Sequence, residues 1–233
     1  MEEVYHVFTR SIANFRIFNT DDDFSRMQDV IQYYQAETAP VSFSQIDRFS
    51  KNSKSLPEAA VHAGRTEKLV EILAYCLMPT HVHLLLWQQD DLGVSKFMGK
   101  VLNSYTRYFN LKHKRKGPLW EGRFKKVLVE SDEQLLHLTR YIHLNPVTAC
   151  LVDRPQDWPA SSYHEYVSPG SGSGMCNHGQ FNDTTPVAYR KFVEDRIAYQ
   201  RDLAKIKELL FEETKLLQPR RLDSVGARGK VNG

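Results

Sequence analysis

The chain has 233 residues and carries 31 basic against 28 acidic side chains, a net charge of +3, with 41% hydrophobic and 25% charged residues. That is ordinary composition for a globular protein, with room for one full domain plus an extension or for two small domains. Apolar runs such as Leu84-Leu85-Leu86-Trp87 are strand-sized, and the three cysteines are scattered, which excludes a helical membrane protein, a disulfide scaffold and a largely disordered chain. The acidic start Met1-Glu2-Glu3 has neither the basic residues nor the apolar stretch of a signal peptide, so the expected location is the cytoplasm.

Residues 4–9 (VYHVFT) read as an opening strand. Asp21, Asp22 and Asp23 then supply the carboxylates of a helix start, and an amphipathic segment runs to about residue 34. Residues 40–57 are Ser-rich and read as irregular or short helix. Residues 68–78 read as a strand, Pro79-Thr80 as a turn, and residues 81–87 (HVHLLLW) as a neighbouring antiparallel strand. Residues 94–110 form the clearest helix, with apolar side chains at 94, 97, 98, 101, 102, 105, 108 and 109. Residues 112–116 continue its charge into a loop closed by Gly117-Pro118, and residues 124–129 read as a strand. Ser131-Asp132-Glu133 caps a helix expected to stop at Asn145, before Pro146. Residues 168–174 (SPGSGSG) look like a linker. Thr185-Pro186 reads as the cap and first residue of a further helix, with Phe192, Tyr199 and Ile206 seven apart and Leu203, Leu210 and Leu217 likewise. The tail beyond Pro219 carries Arg220, Arg221, Arg228 and Lys230.

Charge is unevenly spread. Residues 96–140 hold 11 Lys/Arg against 4 Asp/Glu, so that stretch is +7 and the remainder −4. A polyanion partner follows more readily from this local excess than from the total, although a solvated helix face and a basic loop would look the same. The candidate contacts are Lys96, Lys100, Arg107, Lys112, Lys114, Arg115, Lys116, Arg123, Lys125 and Lys126.

Two arrangements could carry chemistry. His81 and His83 flank Val82 on a strand, so both imidazoles leave the same face and can grip one metal ion. The spacing alone is a weak signal, but an apolar strand with two imidazoles on one face needs partners for them. Tyr141 and Asn145 lie four apart on a helix and share a face, which Gln134 and His137 extend.

These segments together resemble a known family. Residues 75–85 (YCLMPTHVHLL) are similar to the HUH signature of single-tyrosine transposases, and residues 140–147 (RYIHLNPV) to their catalytic-helix segment. Ser104-Tyr105-Thr106, Tyr108-Phe109-Asn110, Gly122-Arg123-Phe124-Lys125 and residues 158–163 (WPASSY) follow the same pattern in the same order, over roughly residues 3–166. The nearest resemblance is to REP-associated tyrosine transposases and insertion-sequence relatives. It implies an α+β, ferredoxin-like (RRM-like) antiparallel sheet with helices packed on it and the HUH strand central. The expected organisation is a catalytic domain over residues 1–166, a Gly/Ser-rich linker over 167–185 and a helical extension with a basic tail over 186–233. It also implies Tyr141 as nucleophile and His81, His83 and Asn145 as ligands of Mg2+ or Mn2+. The family acts on hairpin-marked single-stranded DNA through a 5′-phosphotyrosine, and its members are often homodimers. Two departures stand out: Arg10-Ser11 where relatives tend to have Arg-Gly, and Trp120-Glu121 where an aromatic–Gln pair is common. The alternatives are a non-cleaving binder of structured single strands and a structural zinc protein built on His81 and His83.

Overall fold

The computed structural model describes residues 3–37, 42–45, 68–88, 90–168, 170–171, 173–177, 179 and 184–202. Most of the Ser-rich segment, the heptad positions from Leu203 onward and the basic tail lie outside the described residues.

Four strands form one antiparallel sheet: β1 (Glu3–Arg10), β2 (Glu71–Met78), β3 (His81–Gln88) and β4 (Lys125–Leu128), in the order β2-β3-β1-β4. The expected α+β class holds, and the HUH strand β3 is an interior strand. The strand expected over residues 68–78 begins at Glu71, because residues 68–70 turn away to meet the end of the first helix, where Leu69 N donates to Gln35 O at 2.7 Å.

Period-two alternation sends the sheet's side chains into two separate cores. Val82, Leu84 and Leu86 pack with α1 (Asp21–Tyr34) and α2 (Gly93–Lys112) on one face. Leu85 and Trp87 pack on the other with α3 (Asp132–Thr148), α4 (Tyr163–Val167) and α5 (Pro186–Glu194). A register shift in β2 between Ile72 and Ala74 lets Leu73 and Ala74 both enter the second core.

Helix starts are built from the residues that predicted them. Asp23 Oδ2 accepts from Asn19 N and Thr20 N at 3.0 and 3.2 Å, fastening the first turn of α1. Gly93 opens α2 because any Cβ there would collide with the Leu69 carbonyl oxygen. Ser131 Oγ accepts from Gln134 N at 3.2 Å at the start of α3.

Helix α3 does not end at Asn145. It passes through Pro146 to Thr148. Proline lacks the N–H that would bond the Ile142 carbonyl, and the Asn145 side chain fills in. Its Nδ2 donates to Tyr141 O at 2.8 Å and reaches Ile142 O at 3.5 Å.

The helix at residues 186–194 shares the second core. Tyr189 and Val193 are fully buried against Tyr163, Tyr166 and Leu73, so packing continues beyond residue 166.

Candidate active site

Antiparallel pairing sets His83 opposite Phe8, and His81 opposite Arg10. Alternation then brings His6, Phe8 and Arg10 of β1 to the same face as His81 and His83 of β3. His6 was not singled out by spacing, because its partners are more than seventy residues away. The only local sign was its alternation with Phe8 in a strand that could pair with the HUH strand.

The three imidazoles are close. Ring centroids are 5.1 Å apart for His81–His83 and 5.3 Å for His6–His83, with His6 Nε2 3.1 Å from His83 Nδ1. Thr80 Oγ1 lies 3.0 Å from His81 Nδ1. Both HUH rings are therefore engaged at Nδ1, which leaves each Nε2 without a hydrogen bond and available as a ligand.

Burial lowers the pKa of His6 and of His81 to about 4, with Arg10 adding to the effect on His81. His83 falls to about 3, first through burial and then through His81, His6 and Arg10. All three rings are neutral at pH 7, the protonation state that metal ligation requires.

Helix α3 crosses β2 and β3 on this face and carries Tyr141 and Asn145 to its rim. The Tyr141 ring stands edge-on to His83 at 5.6 Å and to His6 at 6.0 Å, and the residue is 45% exposed. Asn145 lies one turn further along, with its amide nitrogen held by the backbone carbonyls of its own helix. Its Oδ1 makes no hydrogen bond among the described residues. Among the described residues no three His, Cys, Asp or Glu side chains converge on a metal position. The expected ligand set would be two imidazoles and one amide oxygen, a donor set that suits a divalent ion with positions left for phosphate oxygens.

Gln134 and His137 do not extend the reactive face. Gln134 Oε1 accepts from Glu130 N at 2.7 Å, and His137 packs edge-on to Phe192 beside Arg140.

The basic residues separate into two groups. Lys96, Lys100, Arg107 and Lys112 ride on α2, which covers the sheet face opposite the histidines. Several are committed internally: Lys96 to Asp90 at 3.2 Å, Lys100 to Glu37 O at 3.0 Å, and Lys112 to Asp23 at 2.7 Å. Arg115 donates to Asn110 Oδ1 and Pro118 O, and Lys126 lies 4.2 Å over the Tyr5 ring. Lys114 and Lys116 are exposed in the loop after α2. Arg123 and Lys125 are on the histidine side, where they line a cavity of about 430 Å³ together with Phe8, Arg10 and Glu121. Tyr105 is core, its hydroxyl donating to Ile17 O at 2.8 Å, and Tyr108 donates to Asp23 at 3.0 Å. Trp120 is tied by Nε1 to Thr106 Oγ1 at 3.0 Å. None of these three aromatic rings lies at the reactive face.

Residues 44–145, ending at the Asn145 just described, match the family model for IS200-like transposases. Over that stretch the chain is similar to IS200-like transposases. The chain is 30% identical over 107 residues to a protein of Haemophilus influenzae named as a REP-associated tyrosine transposase, and 28% identical over 113 residues to the REP-associated tyrosine transposase of Escherichia coli K12. These matches cover 42% and 48% of the chain and 61% and 65% of the two relatives, so under two thirds of each relative's length is spanned. Among solved structures, a REP-associated tyrosine transposase bound to a REP hairpin is similar with a TM-score of 0.46 and 18% identity, over 72% of this chain and 81% of that one. A Deinococcus radiodurans protein described as a transposase gives a TM-score of 0.35 and 16% identity, over 61% of this chain and 89% of that one. No helix among the described residues is long and apolar enough to cross a membrane.

Proposed function

We propose that this chain is an IS200-like transposase, a metal-dependent single-stranded DNA endonuclease and strand transferase that acts on hairpin-marked repeats during DNA transposition. The observation that carries the reading is Tyr141, an exposed phenol standing edge-on to the paired imidazoles of His83 and His6, with Asn145 one turn away. The family match over residues 44–145 and the names of the two relatives support the substrate class.

A phosphodiester resists nucleophiles because its oxygens are negative. His81, His83 and Asn145 would hold a divalent ion, Mg2+ or Mn2+, which when bound would supply neutralisation of that charge. Burial keeps His81 and His83 neutral, so their lone pairs are free at pH 7. Thr80 and His6 hold the two rings by Nδ1 and point each Nε2 outward. Tyr141 Oη gives its proton to water as it attacks the scissile phosphorus, and the P–O3′ bond breaks. The 3′-oxygen leaves as a hydroxyl after taking a proton, and the 5′-phosphate stays on Tyr141. A phenol suits this step because its pKa of about 10 lies well below that of an aliphatic alcohol. The phosphotyrosine bond retains the energy for a DNA 3′-hydroxyl to reverse the step and rejoin strands.

The test is a covalent-adduct assay on a pool of single-stranded hairpin DNAs with Mg2+ or Mn2+. A protein–DNA band that survives denaturation, needs the metal and disappears in Tyr141→Phe and His81→Ala is the expected result. A band that persists in Tyr141→Phe moves the nucleophile elsewhere. Tight hairpin binding with no band in the wild type makes the protein a binder without cleavage.

A further inference from the structure

Three cations meet at the cavity beside the histidine face. Arg10, Arg123 and Lys125 line it. None of the three makes an ion pair or side-chain hydrogen bond among the described residues, whereas Lys96, Lys100, Lys112, Arg115 and Lys126 are all engaged within the chain. Three exposed, uncommitted cations at one depression are mutually repulsive and are relieved by an anion. One carboxylate, Glu121, shares the wall and leaves the lining at a net +2. Its side chain has no ion pair or hydrogen bond among the described residues either. Phe8 provides an aromatic surface, and its ring also contacts His83 at a centroid distance of 6.0 Å, which ties the cavity directly to the imidazole cluster. The volume of about 430 Å³ falls in the range of sites for small organic ligands, roughly 300–1,000 Å³.

The fold explains why the cavity is there. Helix α3 covers β2 and β3 but not β1 and β4, so the β1–β4 half of this face stays open. The segment between Trp120 and β4 forms its rim, anchored where Glu121 N donates to Arg10 O at 2.9 Å.

We infer that this cavity holds one nucleotide of the single strand next to the scissile phosphate, and that Glu121 selects a base bearing an amino group over thymine. The inference rests on the DNA reading above. Arg10, Arg123 and Lys125 take the phosphates on either side of the nucleotide, and the base lies against Phe8, an arrangement that tolerates any base by stacking alone. Discrimination comes from Glu121. A carboxylate only accepts hydrogen bonds, so it pairs with the amino groups of cytosine, adenine or guanine and finds none on thymine.

The experiment uses the full chain in EDTA, so that binding is read without cleavage. A pool of single-stranded hairpin DNAs with randomised flanks is selected for binding, and the bound fraction is sequenced for wild type, Glu121→Gln, Arg10→Ala and Arg123→Ala. All three positions are exposed and outside both cores. The wild type is expected to disfavour thymine at one flank position by roughly tenfold, and Glu121→Gln to flatten that preference while hairpin affinity is kept. Each arginine variant is expected to weaken binding across all sequences and to lower the slope of log affinity against log salt by about 0.7. A preference that Glu121→Gln leaves unchanged, or salt slopes equal to wild type, overturns the inference. If the wild type forms the Tyr141 adduct yet shows no such position, the cavity assignment fails alone. If it neither binds nor modifies any member of the pool, the DNA reading fails with it.

Discussion

His6 gives the candidate site an order that two histidines alone would lack. A ligating imidazole must present one nitrogen as a lone pair, and the hydrogen bond at its other nitrogen decides which. A His83 tautomer that donates from Nδ1 to His6 Nε2 would leave Nε2 as the lone pair for a ligand, and Thr80 is placed to do the same for His81. His6→Phe is therefore expected to weaken Mn2+ binding by about tenfold or more while leaving the ring of His83 in place, as measured by titration calorimetry on the apo protein. Tyr141→Phe is the comparison: it removes the proposed nucleophile and should leave Mn2+ affinity close to wild type. Equal affinity in wild type and His6→Phe would reduce His6 to a packing role.

Helix α3 has two working faces. Tyr141 and Asn145 point to the rim of the site, and His143, midway between them, points into the second core. There its Nδ1 is 2.7 Å from the Tyr189 hydroxyl of α5 and its Nε2 is 2.8 Å from Ser162 Oγ, which in turn reaches the backbone of Tyr75 in β2. This buried chain ties the helix bearing the nucleophile to the sheet on one side and to α5 on the other. Tyr189→Phe strips one partner from a buried ring nitrogen and is expected to cost about 1–3 kcal/mol, read as a lower denaturation midpoint at unchanged m. Amide exchange along residues 139–147 should quicken in the same variant. A comparable clamp joins α1 to α2, where buried Asp23 accepts from Lys112 and Tyr108. Asp23→Ala removes the buried carboxylate that Lys112 and Tyr108 share and unfastens the first turn of α1. Its expected cost of about 3 kcal/mol is checked by the same denaturation experiment.

At the scale of the molecule, the histidine cluster makes stability depend on pH. The folded-state pKa values of about 4, 4 and 3 for His6, His81 and His83 lie below the 6.5 of an unperturbed ring. Between those values and 6.5 the unfolded chain binds more protons than the folded one, so stability rises with pH there. The contribution is complete above about pH 6.5 and is lost as pH falls through the folded-state values. Metal-free protein should accordingly lose on the order of a few kcal/mol between pH 7 and pH 4, in urea titrations across that range. Replacing His6 and His81 together by Asn should flatten the curve. The same cluster opens onto the uncovered half of the sheet, so one face combines neutral imidazoles, an exposed phenol and the cations of the cavity.

Much of this could be read along the chain because its signals are local. The alternation of residues 81–87, the helical stripe of residues 94–109 and the Ser131 cap each reflect neighbours within a turn or a pleat, and each matches an observed element. His81 with His83 and Tyr141 with Asn145 were legible for the same reason: a shared strand or helix face is a matter of spacing. The helix running through Pro146 was not, because it depends on a side-chain amide supplying the hydrogen bonds that proline cannot. Membership of His6 in the cluster, the commitment of half the basic residues to partners inside the chain, and the burial of Tyr189 behind the nucleophile's helix all arise from contacts between distant segments. The sequence by itself determined which chemical groups were present and which face of its own element each would take. Only the tertiary structure decided which faces meet, since strand order and helix packing set distances that no local period encodes.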